Sequence, residues 1–383
     1  MQYQIQVPSH IYGGQGSIEK LQPILERHHA KKVLLFTDQG VRGAGLCDGI
    51  TEQISKAGAS CRIFDGVTAE PSTYDVDRVI QQAAYEQADL LVAVGGGSVM
   101  DTAKLASVLI GADDTVFDLV RDPSLAKKSI PSVMIPTTCG TGSEATCNAI
   151  VAIPKESSKK GIVNVEMIPD EVILDVDMIA KLPKAIVAAT GVDALAHAVE
   201  CYTSKKATPM SDTYALAAAK LIFASLEEAY RDGDNLKAKE QLLLGAFYGG
   251  VAITGSGTTA VHALSYPLGG KYHIAHGVSN AILFAPVMAY NQEACEDRLA
   301  ALCDTICPER AGDSQPAKAA YVVERIAQIV RKTEIPTSLQ KFGIGECDLE
   351  FLVQAGSQQQ RLLVNNRREF SLDDIRVIYR QVI

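Results

Sequence analysis

Asp89-Leu-Leu-Val-Ala-Val-Gly-Gly-Gly-Ser-Val-Met-Asp-Thr-Ala-Lys104 is the stretch on which the fold turns. Leu90 to Val94 is a short, unbroken apolar run, the pattern of a strand buried on both faces. Three glycines follow, and then a helix-favouring run. Strand, glycines and helix make half of a βαβ unit, which implies a parallel sheet with helices on both faces. Gly95, Gly96 and Gly97 let a backbone approach a ligand closely. The helix behind them offers free N–H groups and a positive dipole end, a seat for a pyrophosphate. Ser98 is placed to cap that helix and to donate to a phosphate. The run departs from G-x-G-x-x-G, so the usual dinucleotide inference does not transfer directly and a purely structural turn stays open.

The same texture extends to either side. After an irregular entry and a helix over Ser17–His28, Lys32–Asp38 reads as a buried strand, Gly45–Ala57 as a helix and Cys61–Asp65 as a strand. Val76–Glu86 is a helix and Ser132–Pro136 a further strand, while Ala149–Ile153 and Glu171–Leu174 read as antiparallel or edge pieces. Beyond about residue 180 the strands stop. Ser211–Tyr230 carries apolar residues at helical spacing, and similar patterns cover Leu236–Ile253, Ala275–Tyr290, Ala317–Lys332 and Leu372–Ile383. The expected fold is α/β: an N-terminal Rossmann-like parallel-sheet domain over 1–182, then an all-helical domain over 183–383, with the boundary near Lys181-Leu-Pro183.

Composition narrows the partners. The chain has 383 residues, 47% hydrophobic and 21% charged, with a net charge of −9. An acidic surface argues against nucleic acid. No run reads as a membrane span, and the start has no basic and apolar leader pattern. Nine scattered cysteines without Cys-x-x-Cys suit free thiols in a reducing compartment, so a cytoplasmic location is expected.

Three further stretches carry chemistry. Pro136-Thr-Thr-Cys-Gly-Thr-Gly-Ser-Glu144 follows a strand and is dense in hydroxyls and glycines. Two such loops beyond strand carboxyl ends suit one extended ligand, and a dinucleotide fits. Asp38 ends the first strong strand; there it either accepts from an adenosine ribose and disfavours a 2′-phosphate, or caps a helix. In Gly191-Val-Asp-Ala-Leu-Ala-His-Ala-Val-Glu200, Asp193 and His197 share one helix face. In Val261–Gly277, His262, His273 and His276 lie within fifteen residues. One carboxylate and two or three imidazoles form a credible site for a first-row divalent metal, although an i, i+4 Asp/His pair is by itself often only hydrogen-bonded.

Together these motifs resemble the iron-containing (group III) alcohol dehydrogenases over nearly the whole chain. Gly95-Gly-Gly-Ser-x-x-Asp-x-Ala-Lys104, Pro136-Thr-Thr-x-Gly-Thr-Gly-Ser-Glu144, Gly191-Val-Asp-Ala-Leu-x-His-Ala-x-Glu200 and His262…Pro-Leu-Gly-Gly…His-Gly277 match in order. The resemblance implies a dehydroquinate synthase-like architecture with an interdomain cleft. It implies one Fe2+, or Zn2+ in its place, on Asp193, His197, His262 and His276. It also implies hydride exchange between NAD(H) and a small primary alcohol or aldehyde, by a homodimer or larger homo-oligomer.

The resemblance assigns Gly97 and Ser98 to the cofactor's pyrophosphate and places Thr137, Thr138 and Thr141 along the adenosine and phosphates, with Gly96, Asp101 and Ser143 also cofactor-binding. It gives Asp38 the selection of NAD. Lys159, or its neighbour Lys160, takes the place of a cofactor-contacting lysine. Two positions depart from the family pattern. Tyr266 stands where many members have a second histidine four residues after the third ligand, leaving Tyr266 or His273 to relay the proton. Glu70 stands where many have Asn. Lys271 hints at an anionic aldehyde. A lyase of the dehydroquinate synthase kind and a cofactor-binding non-enzyme are the competing readings.

Overall fold

The computed structural model of the chain describes residues 3–156 and 158–383; the reading at positions 1 and 2 lies outside them. The chain divides into two compact units, one spanning Gln6–Leu182 and the other Pro183–Ile383 together with residues 3–5.

The first unit is built on a six-stranded sheet. Its strands are β1 (His10–Gly13), β2 (Lys32–Phe36), β3 (Ser60–Phe64), β4 (Leu90–Gly95), β5 (Ser132–Pro136) and β8 (Glu171–Leu174), in the spatial order β1-β8-β5-β4-β2-β3. All pairings are parallel. Every residue of β4, β5 and β8 is buried, as expected of strands covered by helices on both faces. On one face Val33, Leu35, Val92, Val94, Val133, Ile135 and Ile173 join Leu21, Ile24, Ile50 and Ile54 from two helices in a single apolar cluster.

Two sequence expectations are corrected here. Glu171–Leu174 is an interior parallel strand between β1 and β5, not an edge or antiparallel piece. Part of the supposedly irregular entry is β1, which covers β8; its short exposed pattern gave no apolar signal. Asn148–Ile153 (β6) is indeed antiparallel, but in a separate hairpin with Ser158–Val163 (β7), which the sequence reading lacked.

The order of the strands fixes where a ligand can sit. From β2 the chain moves outward to β3, and then crosses back so that β4, β5 and β8 build the other way. The reversal lies between β2 and β4, and the carboxyl ends of strands flanking such a switch point form a crevice. Asp38 follows β2, and Gly96 follows β4. The Thr37 hydroxyl donates to the Val94 carbonyl at 2.8 Å and ties the two strand ends together.

The second unit is helical. Lys184–Thr203 packs against Pro209–Arg231, Leu236–Ser256 and His276–Asn291, and Ala260–Tyr272 packs against His276–Asn291 and Leu349–Ser357. Lys184–Thr203 is, contrary to the sequence reading, long and apolar enough to cross a membrane by length and composition, but 78% of its apolar window is buried inside the protein. It is the core helix of its unit. It also carries Asp193, His197 and Glu200, all buried.

Candidate metal centre

Asp193 and His197 lie one turn apart on Lys184–Thr203, His262 on Ala260–Tyr272, and His276 at the first position of His276–Asn291. From Asp193 Oδ1 the Nε2 atoms of His197, His262 and His276 stand at 3.9, 3.6 and 3.7 Å. A tetrahedron with metal–ligand bonds of ~2.1 Å has edges of about 3.4 Å. The ligand atoms of Asp193, His262 and His276 lie within 4.8 Å of one another, about the span of one first-row ion, and His197 reaches this group through Asp193. Three rings close the set: His197 stacks on His262 with centroids 4.6 Å apart, and His262 meets His276 at 5.3 Å.

The backbone that brings His276 in depends on Gly277. A Cβ there would collide with the Ala189 carbonyl of the neighbouring helix. Only hydrogen lets the two helices come this close.

Glu200 supports the centre. The fully buried carboxylate accepts from the Thr259 N–H at 3.2 Å, the Thr259 hydroxyl at 2.6 Å and the Val261 N–H at 2.7 Å. Its other oxygen accepts from Nδ1 of His262. That bond fixes the tautomer and turns Nε2 toward the cluster, as a carboxylate behind a metal-binding histidine does. Burial lowers the His262 pKa, but Glu200 and Asp193 outweigh it and push the imidazole up to about 9. Burial would likewise raise the Asp193 carboxyl, but the three imidazoles hold it well below the usual carboxylate range.

Asn280 tests whether these residues suit a cation. Its Nδ2 donates to Asp193 Oδ1 at 2.6 Å and lies 3.1 Å from His262 Nε2 and 3.3 Å from His276 Nε2. A neutral amide thus faces several Lewis bases, while its own buried Oδ1 has no hydrogen-bond partner among the described residues. A divalent ion satisfies the same acceptors with more charge, so the donor set fits one. The His276 side chain is 29% exposed against 3% for Asp193, an opening on one side as catalytic metal sites require. The sequence reading singled out neither Asn280 nor the role of Glu200. Asn280 lies four residues after His276, hence on its helix face, and that spacing was the available signal.

In the first unit, the Gly97–Leu109 helix begins at Gly96 with no side-chain cap, as befits amides that serve an anion. Ser98 does not cap it, contrary to expectation; it lies inside the helix and its hydroxyl accepts from the Glu70 N–H at 3.0 Å. A Cβ on Gly97 would meet the Thr141 side chain at 2.8 Å, so glycine lets the 137–144 loop close on the helix start. The Thr137 N–H donates to the Gly95 carbonyl at 3.0 Å, and Thr138 packs beside Gly96.

The Asp101 carboxylate is used inside the protein. It accepts from Ser143 Oγ and the Ile150 N–H and pairs with buried Lys104 at 2.9 Å. Lys104 donates in turn to the carbonyls of Ser143 and Asn148. Asp101 and Ser143 therefore shape the loop. Asp38 caps the short Gln39–Gly43 helix, accepting from the Val41 N–H at 2.9 Å through Oδ1. Lys159, on β7, pairs with Glu70 at 2.6 Å, and Glu70 sits at a left-handed φ of 51°.

Around the centre, the Tyr266 ring lies 6.1 Å from that of His276. His273 is exposed, with a left-handed φ of 55°, at the end of Ala260–Tyr272. Lys271 is exposed, with its Nζ 3.8 Å over the Phe351 ring and 4.0 Å from Asp348.

Residues 8–176 match the model for iron-containing alcohol dehydrogenase, and residues 187–383 the C-terminal model of the Fe-containing alcohol dehydrogenase family. The chain belongs to the iron-containing alcohol dehydrogenase family. It is 37% identical to long-chain-alcohol dehydrogenase 1 of Geobacillus thermodenitrificans over 97% of this chain and 94% of that protein. A crystal structure of 1,3-propanediol oxidoreductase superposes with a TM-score of 0.95 at 30% identity, covering all of both chains. Sulfoacetaldehyde reductase from Bifidobacterium kashiwanohense, solved with NAD+, gives 0.88 at 25% identity, over 100% and 99% of the chains. This member of the iron-containing alcohol dehydrogenases is thus an NAD- and iron-dependent oxidoreductase of alcohols and aldehydes, and neither the lyase nor the non-enzyme reading is favoured.

Proposed function

We propose that Asp193, His197, His262 and His276 hold one Fe2+, or Zn2+ in its place, and that NAD-linked oxidation of small primary alcohols and reduction of the matching aldehydes take place there. The observation that carries this reading is the gathering of three imidazole nitrogens around Asp193 Oδ1, one of them oriented by buried Glu200. One carboxylate and three neutral imidazoles leave a divalent site at about +1, matched to an alkoxide. Bound there, the ion supplies Lewis acidity toward the substrate oxygen.

In the oxidation direction the alcohol carbon gives a hydride to the nicotinamide and the hydroxyl proton goes to solvent. We assign that proton transfer to Tyr266, against His276, and to His273, at the solvent. Gly96, Gly97 and Ser98 receive the pyrophosphate at the helix start, with Thr137, Thr138 and Thr141 beside it and Asp38 at the adenosine ribose. Asp101 and Ser143 support this loop from within, and Lys159 contributes a cation restrained by Glu70. A cytoplasmic location suits nine free thiols, and family membership suits a homodimer or larger homo-oligomer.

The test is to strip the protein with a chelator, reload it with Fe2+ or Zn2+, and follow NADH oxidation with a panel of small aldehydes. Turnover should vanish on stripping and return on reloading, and Asp193→Ala should lose metal and turnover together. Undiminished activity in the stripped protein would reject the reading.

A further inference from the structure

Cofactor selection involves more than Asp38, on the reading just given that Asp38 meets the adenosine ribose. β2 and β3 run in register, with Phe36 opposite Phe64. Their pairing continues past the strand ends: the Thr37 N–H donates to the Phe64 carbonyl at 2.9 Å, and Asp38 forms an isolated bridge with Gly66. Asp38 and Asp65 therefore stand close together at the carboxyl ends of adjacent strands. The helix that Asp38 caps carries Arg42 one turn on, and the Arg42 N–H donates to the Asp38 carbonyl at 3.0 Å. The Arg42 guanidinium pairs with the Asp65 carboxylate. These groups are accessible to a ligand: the side chains of Arg42 and Asp65 are 51% and 34% exposed, and Asp38 is partly exposed beside them.

An arginine near the adenosine ribose is the group that receives the 2′-phosphate of NADP(H), through planar, charge-assisted hydrogen bonds. Arg42 has the chemistry and the place for that role, but Asp65 already engages it. A 2′-phosphate would have to draw Arg42 from Asp65 and leave two carboxylates facing a dianion. An exposed ion pair is weak, so Asp65 does not lock Arg42 in place. It answers the guanidinium charge and, with Asp38, keeps this corner net negative. The ribose of NAD(H) offers only hydroxyls, which donate to carboxylates and meet no such opposition.

We propose that Asp65 is a second determinant of the choice of NAD(H) over NADP(H), acting through Arg42, which would bind a 2′-phosphate if Asp65 did not engage it. The two carboxylates divide the task. Asp38 accepts from the ribose, and Asp65 withholds the cation that a phosphate would use.

The experiment measures NADH and NADPH affinity by the fluorescence of bound cofactor, together with kcat/KM for both on the Fe2+-loaded enzyme. Asp65→Asn keeps the side-chain volume and releases Arg42. NADPH should then bind on the order of tenfold more tightly, while NADH stays within about twofold of its original affinity. Adding Arg42→Ala should remove that gain. Arg42→Lys in its place should keep part of it, because lysine retains the charge without the planar fork. Asp38→Asn, which preserves the helix cap, should weaken NADH and strengthen NADPH. The NADPH gain of Asp65→Asn should shrink at high salt, as exposed charges are screened. A merely structural role for the pair would weaken both cofactors together and leave their ratio alone. An unchanged ratio in Asp65→Asn beside a shifted one in Asp38→Asn would overturn the inference alone, as would a gain that survives Arg42→Ala. Unchanged ratios in both single variants would overturn the placement of Asp38 at the ribose with it.

Discussion

Glu200 and Glu144 are both buried carboxylates, and their environments give them opposite properties. Glu200 accepts hydrogen bonds from two backbone N–H groups, a hydroxyl and an imidazole. Replacing it by Gln keeps the volume but removes the charge that fixes the His262 tautomer. Metal affinity should drop by roughly 10–100-fold, read by competition with a chromogenic chelator. Glu144 is pushed up to about 7, by burial first, with Asp101 adding to the shift and its own backbone N–H and Lys104 opposing it. An acid whose folded pKa is raised binds more protons folded than unfolded, so stability falls as pH rises through the window from 4.5 to about 7. Glu144→Gln should therefore flatten that slope and be the more stable protein at pH 8, by at most about 3 kcal/mol. Urea unfolding at several pH values measures it. None of this was legible in the sequence. Glu144 and Glu200 ended recognisable motifs, but their roles depend on partners brought in by folding, such as Val261 and Thr259 for Glu200.

Glycine positions decide how closely elements approach. Gly277→Ala puts a methyl group into the Ala189 carbonyl and should push the His276–Asn291 helix away from Lys184–Thr203. His276 would then miss Asp193. The variant should retain its helical circular dichroism yet bind well below one metal per chain, as measured by elemental analysis. At this scale the sequence was informative wherever burial left a local trace. The apolar runs of β2, β4 and β5 announced interior strands, and the Ala/Leu periodicity announced Pro209–Arg231. It was misleading at β8, four residues long, where no period distinguishes an interior strand from an edge. It was silent at β1, which is mostly exposed, and at β7, whose Ser158-Lys159-Lys160-Gly161 start carries too little apolar pattern.

For the whole molecule, metal binding should be coupled to the stability of the helical unit. All four proposed ligands belong to residues 183–383, from three separate helices. Removing the ion should speed amide exchange around residues 193–200 and 262–280 while the sheet strands keep their protection. At free metal 100 times Kd, bound metal adds about 2.7 kcal/mol. The pH dependence follows from His262, raised to about 9 by Glu200 and Asp193 against burial. In the metal-free protein its contribution to stability is complete below the ordinary histidine range and is lost as pH climbs through 9. Because the proton and the ion compete for the imidazole, apparent metal affinity should rise with pH up to that value, which titration calorimetry in buffers of different pH can follow.

The sequence by itself determined the α/β and helical texture, the glycine and hydroxyl loops after β4 and β5, and the candidate ligands, of which the fold brings Asp193, His262 and His276 within 4.8 Å of one another. Those features are local: a strand's apolar run, an i, i+4 pair and a glycine turn each lie within a few residues. Tertiary structure alone decided which way β8 runs, that Glu200 stands behind His262, that Asn280 faces Asp193, His262 and His276, and that Lys271 lies over Phe351. Each of these is a contact between groups distant along the chain, or a choice among neighbours equally allowed by local pattern, and only close packing selects one.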